Sequence, residues 1–282
     1  MGRFSNTCNL LKAAKQVLFE DKRLLALPVL SAASCIVVIA TPFVCVAPFR
    51  DAIERSAPAD SSFVLASLFF FLFVMYYLVV LTGVFFNAVL IICADGHLRK
   101  EKVALRDAFT AAFARLPALA GWTLIYYSIG FIIRIVEEKS QGLAGYFTSV
   151  IGAAFTVSVF LIVPVIVLEK TGPVVSLKRS GELFLKTWGE EIISDLGFTI
   201  IWIVTGCLLV ISAGFWGAAD RGAAGGWAYG AGLITAAAGI AGILVTISLL
   251  AVFKTVLYRF ACYDEVPGSY TQEQLSQAVR KR

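Results

Sequence analysis

The chain has 282 residues, of which 59% are hydrophobic and only 15% are charged, and its mean hydropathy is +0.84. A soluble domain is roughly half apolar and a quarter charged, so this composition excludes a single water-soluble domain and indicates a protein whose solvent is lipid. The net charge of +5 could attract an anionic partner. The distribution of the basic residues instead favours topology and lipid headgroups over nucleic acid.

Six apolar stretches are long enough to cross a bilayer, which requires about 20 helical residues. Alternating strands of the barrel type are absent from the sequence, so helices are predicted. The second stretch would be about 48 Å long as a helix and should tilt or project into water. We predict an all-α, single integral membrane domain over residues 1–282. The predicted spans are Leu24–Phe49, Phe63–Ala94, Leu116–Val136, Val150–Leu168, Ile192–Trp216 and Leu233–Ala261.

The basic residues predict an orientation. Nineteen of the 24 Lys and Arg residues lie before the first span, between spans two and three, between spans four and five, or in and after the last span. The positive-inside rule therefore places both termini in the cytoplasm. The opposite side has only five: Arg50, Arg55, Arg134, Lys139 and Arg221.

The cytoplasmic connections are predicted to be amphipathic helices. In Ala104–Leu116 and Leu177–Trp188 the apolar residues recur with helical spacing, opposite a charged face. Similar segments precede the first span and follow the last, which predicts a threefold repeat of an amphipathic helix and a transmembrane hairpin. Such helices either anchor the hairpins in the headgroup plane or form a lipid-sensing or partner-docking surface. The predicted interfacial residues are Phe109, Phe113, Phe184 and Trp188.

A carboxylate recurs at the end of each even-numbered span, as Asp95, Glu169 and Asp264. An acid at a helix C-terminus opposes the helix dipole. Each acid is therefore expected to have a local partner, either a backbone amide or a nearby cation.

Polar residues within spans are the natural place to search for function. Asn87, Asp195, Lys254 and Arg259 all lie toward the cytoplasmic side of their predicted spans and could form a polar cluster. The favoured interpretation is instead that Lys254 and Arg259 snorkel to the headgroups while Asn87 bonds a neighbouring helix. The one histidine and six cysteines show no metal-ligand spacing. No catalytic, cofactor or metal site is predicted.

The last span and its lead-in are rich in small residues, which let helix backbones approach closely. The favoured interpretation of this pattern is packing within the molecule, and the alternative is homo-oligomerisation. The sequence does not determine the oligomeric state. The motifs are Gly226-x-x-x-Gly230, Ala237-x-x-x-Ala241 and Gly239-x-x-Gly242.

Several motifs resemble those of a family of uncharacterised six-span prokaryotic membrane proteins. They are Phe86-Asn87-Ala88, Val163-Pro164-Val165 through Glu169-x-x-Gly172-Pro173, Ser176-Leu177-Lys178-Arg179-Ser180 and Thr187-Trp188-Gly189. The chain is more distantly similar to the membrane domain that precedes some bacterial glycerophosphodiester phosphodiesterases. Their catalytic barrel is absent from this sequence, so the resemblance implies a fold and a location but no hydrolase activity.

The sequence thus favours a non-enzymatic scaffold or accessory protein that acts through membrane lipids and other membrane proteins. The alternative is a small-molecule or lipid transporter. A polar cavity reaching the middle of the membrane would favour the transporter, whereas a bundle sealed by apolar packing would favour the scaffold.

Overall fold

The computed structural model describes residues 18, 20–21, 23–46, 61–139, 155, 158–187, 196–222 and 226–263. All of the regular secondary structure in these residues is helical. Eight helices lie in this part of the chain: α1 (Arg23–Val46), α2 (Ser61–Leu98), α3 (Leu105–Phe113), α4 (Leu116–Lys139), α5 (Ile162–Leu168), α6 (Pro173–Thr187), α7 (Leu196–Asp220) and α8 (Trp227–Tyr263).

Four segments within α1, α2, α7 and α8 are long and apolar enough to cross a membrane. Helices α3 and α4 are bent by 61° at a short break, and together they would make a fifth crossing. The predicted span Val150–Leu168 lies partly outside the described residues, and its described end is the short helix α5. The count of six spans and the threefold repeat therefore remain predictions. The four segments are Arg23–Pro42, Ala66–Leu98, Ile203–Asp220 and Trp227–Tyr263.

The described residues group into two compact units, each built from separate stretches of the chain. One unit contains α7, α8, the start of α1, the end of α2 and the end of α6. The other contains the remainder of α1 and α2, together with α3, α4, α5 and the first half of α6. The single-domain prediction for residues 1–282 is not tested by this grouping.

In the first unit, small residues of α8 allow it to pack closely against α7. A Cβ added at Gly242 would lie 3.1 Å from Thr205 Oγ1, and one at Gly239 would lie 2.8 Å from a Leu209 methyl. The hydroxyl of Ser212 on α7 also donates to the carbonyl of Gly232 on α8 at 2.8 Å. The motif Gly239-x-x-Gly242 thus packs within the molecule.

The other two small-residue motifs of α8 do not face α7. An added Cβ would meet nothing within 4 Å at Gly226 or Gly230. Ala237 and Ala241 are both exposed. Helix α8 therefore carries small residues that pack against α7 and others that are exposed in the part of the chain that the structure describes.

In the second unit, α2 packs against α3 and α4 mainly through aromatic rings. The Phe85 ring lies 6.0 Å from that of Phe109 and 4.6 Å from that of Phe113. Further along α2, the Tyr77 hydroxyl donates to the Ala120 carbonyl at 3.0 Å. The short helix α5 is almost entirely buried, and the hydroxyl of Ser180 accepts a bond from the Leu161 amide at 3.1 Å.

Burial changes sharply along α2. Residues 66–73 are exposed on every side, whereas residues 88–91 are almost completely buried. Helix α2 contains 38 residues, about 57 Å at 1.5 Å per residue, which exceeds the hydrocarbon thickness of a bilayer. The exposed apolar part is suited to lipid, and the buried part is enclosed by protein.

Candidate functional site

The candidate site lies where the C-terminal ends of α2 and α8 meet within the first unit. The last turns of α8 are buried from Thr255 to Phe260, and they include Arg259. The last turns of α2 present Asp95, which is preceded by the buried residues Cys93 and Ala94. Two helices that are otherwise strongly apolar thus bring one acid and one base together inside protein.

Arg259 and Asp95 form a short, buried ion pair. Nη1 of Arg259 donates to Oδ1 of Asp95 at 2.8 Å. The two side chains are only 11% and 12% exposed. A charge-assisted hydrogen bond of this length is stronger than a neutral one. The Arg259 guanidinium also lies 5.7 Å from the ring centroid of Tyr263, which is within cation–π range.

The carboxylate of Asp95 has a second cationic neighbour. Nη1 of Arg99, one helical turn later, lies 3.9 Å from Oδ2 of Asp95. Nη2 of Arg99 lies 2.9 Å from Oε1 of Glu101, and the His97 ring contacts Glu20 at 3.3 Å. The acid is therefore held between two guanidiniums. This arrangement ties helix ends together.

The four residues of the predicted polar cluster have different positions. Arg259 pairs with Asp95, an acid that the sequence pattern did not include in the cluster. Asn87 is half-buried on α2, about 12 Å along the helix from Asp95. Lys254 is half-buried on α8, and Asp195 lies outside the described residues.

The pattern of carboxylates at the ends of the even-numbered spans predicted a partner for Asp95, whereas the predicted polar cluster did not include this acid. A local partner was expected for each acid, and a cation is found at both acids that the structure describes. Within the second unit, Glu169 Oε1 lies 3.3 Å from Nε of Arg179 on α6. The third acid, Asp264, lies outside the described residues.

The two turns that follow these helix ends share a backbone feature. Lys100 and Lys170 each lie two residues beyond a helix end, after Leu98 and Leu168, and both have φ of 58°. A lysine in this left-handed region costs more than glycine would. The two segments thus share this turn, and the threefold repeat remains a prediction.

The predicted interfacial residues are also only partly described. Phe109 and Phe113 on α3 contact Phe85 of α2, although Phe113 remains 58% exposed. Phe184 on α6 is buried, and Trp188 lies outside the described residues. The location of these helices at a membrane surface remains a prediction.

The described part of the chain contains no cluster of potential metal ligands. No group of three His, Cys, Asp or Glu side chains there is arranged to hold a metal ion.

The long apolar helices and their charged ends define a membrane-embedded helical protein of unknown activity. The chain belongs to a family of unknown function (DUF6159), whose model matches residues 64–265. No curated protein and no solved structure shows a significant match. The similarity to the membrane domain of glycerophosphodiester phosphodiesterases therefore stays a prediction.

Proposed function

We propose that the protein is a non-enzymatic scaffold or accessory component of the prokaryotic cytoplasmic membrane. It acts through contacts with lipids and other membrane proteins, and it does not bind nucleic acid. In this proposal the chain crosses the membrane six times and both termini are cytoplasmic.

The observation that carries this proposal is the use of polar side chains within the long helices. The buried hydroxyls of Thr123, Thr246 and Thr255 each donate to the carbonyl four residues earlier in their own helix. Ser248 donates to the carbonyl of Leu244 at 3.0 Å and also lies 3.2 Å from that of Leu24 on α1. These hydroxyls are satisfied by backbone carbonyls, and Ser248 also links α8 to α1, which supports a structural use of these polar groups.

The buried charges follow the same pattern. Asp95 and Arg259 neutralise each other across two helices. Removing one partner from such a pair strands a buried charge, which is costly. A transport site would instead need polar groups that exchange their partners with a substrate. The pairing therefore supports a structural role for these charges.

The exposed surfaces of the long helices supply the contact area that a scaffold needs. Phe69 and Phe70 on α2 are 71% and 69% exposed, within a stretch that is exposed on all sides. Such surfaces are suited to lipid chains or to the apolar helices of another membrane protein.

Co-purification from native membranes tests the proposal. The tagged full-length chain would be isolated in mild detergent, and the proteins and lipids that accompany it would be quantified by mass spectrometry. The control is an unrelated six-span protein with the same tag and expression level. We expect one protein or lipid class to be enriched with this chain in repeated preparations.

Small-molecule profiles distinguish the transporter. Cells that lack the protein would be compared with cells in which it has been restored. A scaffold leaves the intracellular content of small molecules unchanged. Accumulation or loss of one compound that is reversed by the wild-type chain, with no specific co-purifying partner, would contradict the scaffold proposal and favour a transporter.

A further inference from the structure

Several exposed cations of the second unit have no acidic partner among the residues that the structure describes. Glu169 of this unit is engaged with Arg179. Arg106, Lys170 and Lys178 form no ion pair with any other residue that the structure describes, and all three are exposed. Unpaired cations on one surface attract anions.

Arg115 and Lys170 belong to chain segments that lie next to each other in space. Nη1 of Arg115, in the turn between α3 and α4, donates to the carbonyl of Lys170 at 3.0 Å. This bond fixes the turn after α5 beside the start of α4. The Arg115 guanidinium has further N–H donors besides the one used in this bond.

Helix α6 begins next to the first turns of α4. A Cβ added at Gly121 of α4 would lie 3.4 Å from Cγ of Pro173, the first residue of α6. Lys178 follows in the second turn of α6, about 8 Å along the helix from Pro173. Three cations therefore come from chain segments that meet near the start of α4.

Exposed apolar side chains accompany these cations. Val174 and Val175 on the first turn of α6 are 68% and 61% exposed, and each lies one turn before a cation on the same face. Phe113, two residues before Arg115, is 58% exposed. A surface that combines exposed apolar groups with unpaired cations matches the boundary between headgroups and acyl chains.

We propose that Arg115, Lys170 and Lys178 bind the headgroup phosphate of an anionic phospholipid, whose acyl chains cover Val174 and Phe113. This inference rests on the proposed function, since it names the chemistry of one lipid contact. An acidic protein segment would satisfy the cations but would leave the exposed valines and the phenylalanine uncovered. The apolar residues therefore favour the lipid.

Direct titration tests the site. The purified full-length chain in non-ionic detergent would be titrated with fluorescent phosphatidylglycerol, and anisotropy would be measured. Saturable binding is expected for the wild type, with little binding of phosphatidylcholine. Lys170→Gln and Lys178→Gln should each weaken binding about fivefold, the contribution expected of one cation near an anionic lipid.

Two further variants serve as controls. Lys170→Arg keeps the charge and should bind as the wild type does. Arg221→Gln removes an exposed cation from the turn after α7, in the other unit, and should also bind as the wild type does. Arg115→Gln is a poorer choice because it also removes the hydrogen bond to the Lys170 carbonyl.

Several outcomes would overturn the inference. These are equal affinity for both lipids, unchanged binding in both lysine variants, and displacement of the lipid by inorganic phosphate, which would indicate a phosphate-ion site. Unchanged lipid binding with loss of a co-purifying protein in Lys170→Gln would indicate an acidic protein partner and leave the proposed function intact. The proposed function itself fails if no protein and no lipid class is enriched with the wild-type chain from native membranes relative to the control protein.

Discussion

The buried pair between Asp95 and Arg259 gives the sharpest prediction about stability. Replacing Arg259 with Met would leave the Asp95 carboxylate only 12% exposed. Its other cationic neighbour is Arg99 at 3.9 Å, beyond hydrogen-bond distance. Breaking a buried pair by removing one partner costs about 3–5 kcal/mol. Because Arg99 can partly compensate, we expect Arg259→Met to cost about 3 kcal/mol.

The double variant separates the pair from its surroundings. Replacing both partners with apolar residues of similar size leaves no stranded charge and is often close to neutral. We therefore expect Asp95→Leu combined with Arg259→Met to lose about 1–2 kcal/mol, less than either single variant. Arg259 also contacts Tyr263, so the double variant should not be fully neutral.

An exposed pair in the same protein provides the matched control. The side chains of Arg179 and Glu169 are 43% and 24% exposed, and exposed pairs contribute about 0–1 kcal/mol. Glu169→Gln should therefore have little effect. The assay is equilibrium unfolding of the full-length chain in mixed micelles, followed by tryptophan fluorescence. Additive losses in the double variant, or a loss from Glu169→Gln as large as that from Arg259→Met, would refute the reasoning.

Two further predictions concern packing and topology. Gly232→Ala places a methyl group against the Trp216 indole, whereas the methyl group of Gly230→Ala meets nothing within 4 Å. The Gly232→Ala variant should therefore be about 1–3 kcal/mol less stable than the Gly230→Ala variant in the same assay. Equal stability would contradict the packing of α7 on α8. In a cysteine-free background, a cysteine at Lys102 should label only from the cytoplasmic side and one at Ala223 only from the periplasmic side. Labelling of both from the same side would rule out the six-span topology.

The sequence by itself indicated that the long helices are surrounded by lipid and that the protein is all-helical. Long apolar runs with few charges indicate a lipid environment, and in lipid only helices or closed barrels satisfy the backbone. The helices α1, α2, α7 and α8 accordingly have bounds within six residues of their predicted spans. The recurring acids also indicated a local partner, either a backbone amide or a cation, because a carboxylate at a helix C-terminus is otherwise unfavourable.

The tertiary structure decided which residues pair. The sequence left Arg259 either snorkelling to the headgroups or in a cluster with Asp195, and it gave Asp95 only an unnamed local partner. The fold instead joins Arg259 to Asp95 across 164 positions of the chain. Helical periodicity reports which residues share a face of one helix, but it carries no information on the register of one helix against another. That register depends on close packing, such as the contact between Gly239 and Leu209, which single-helix patterns do not encode.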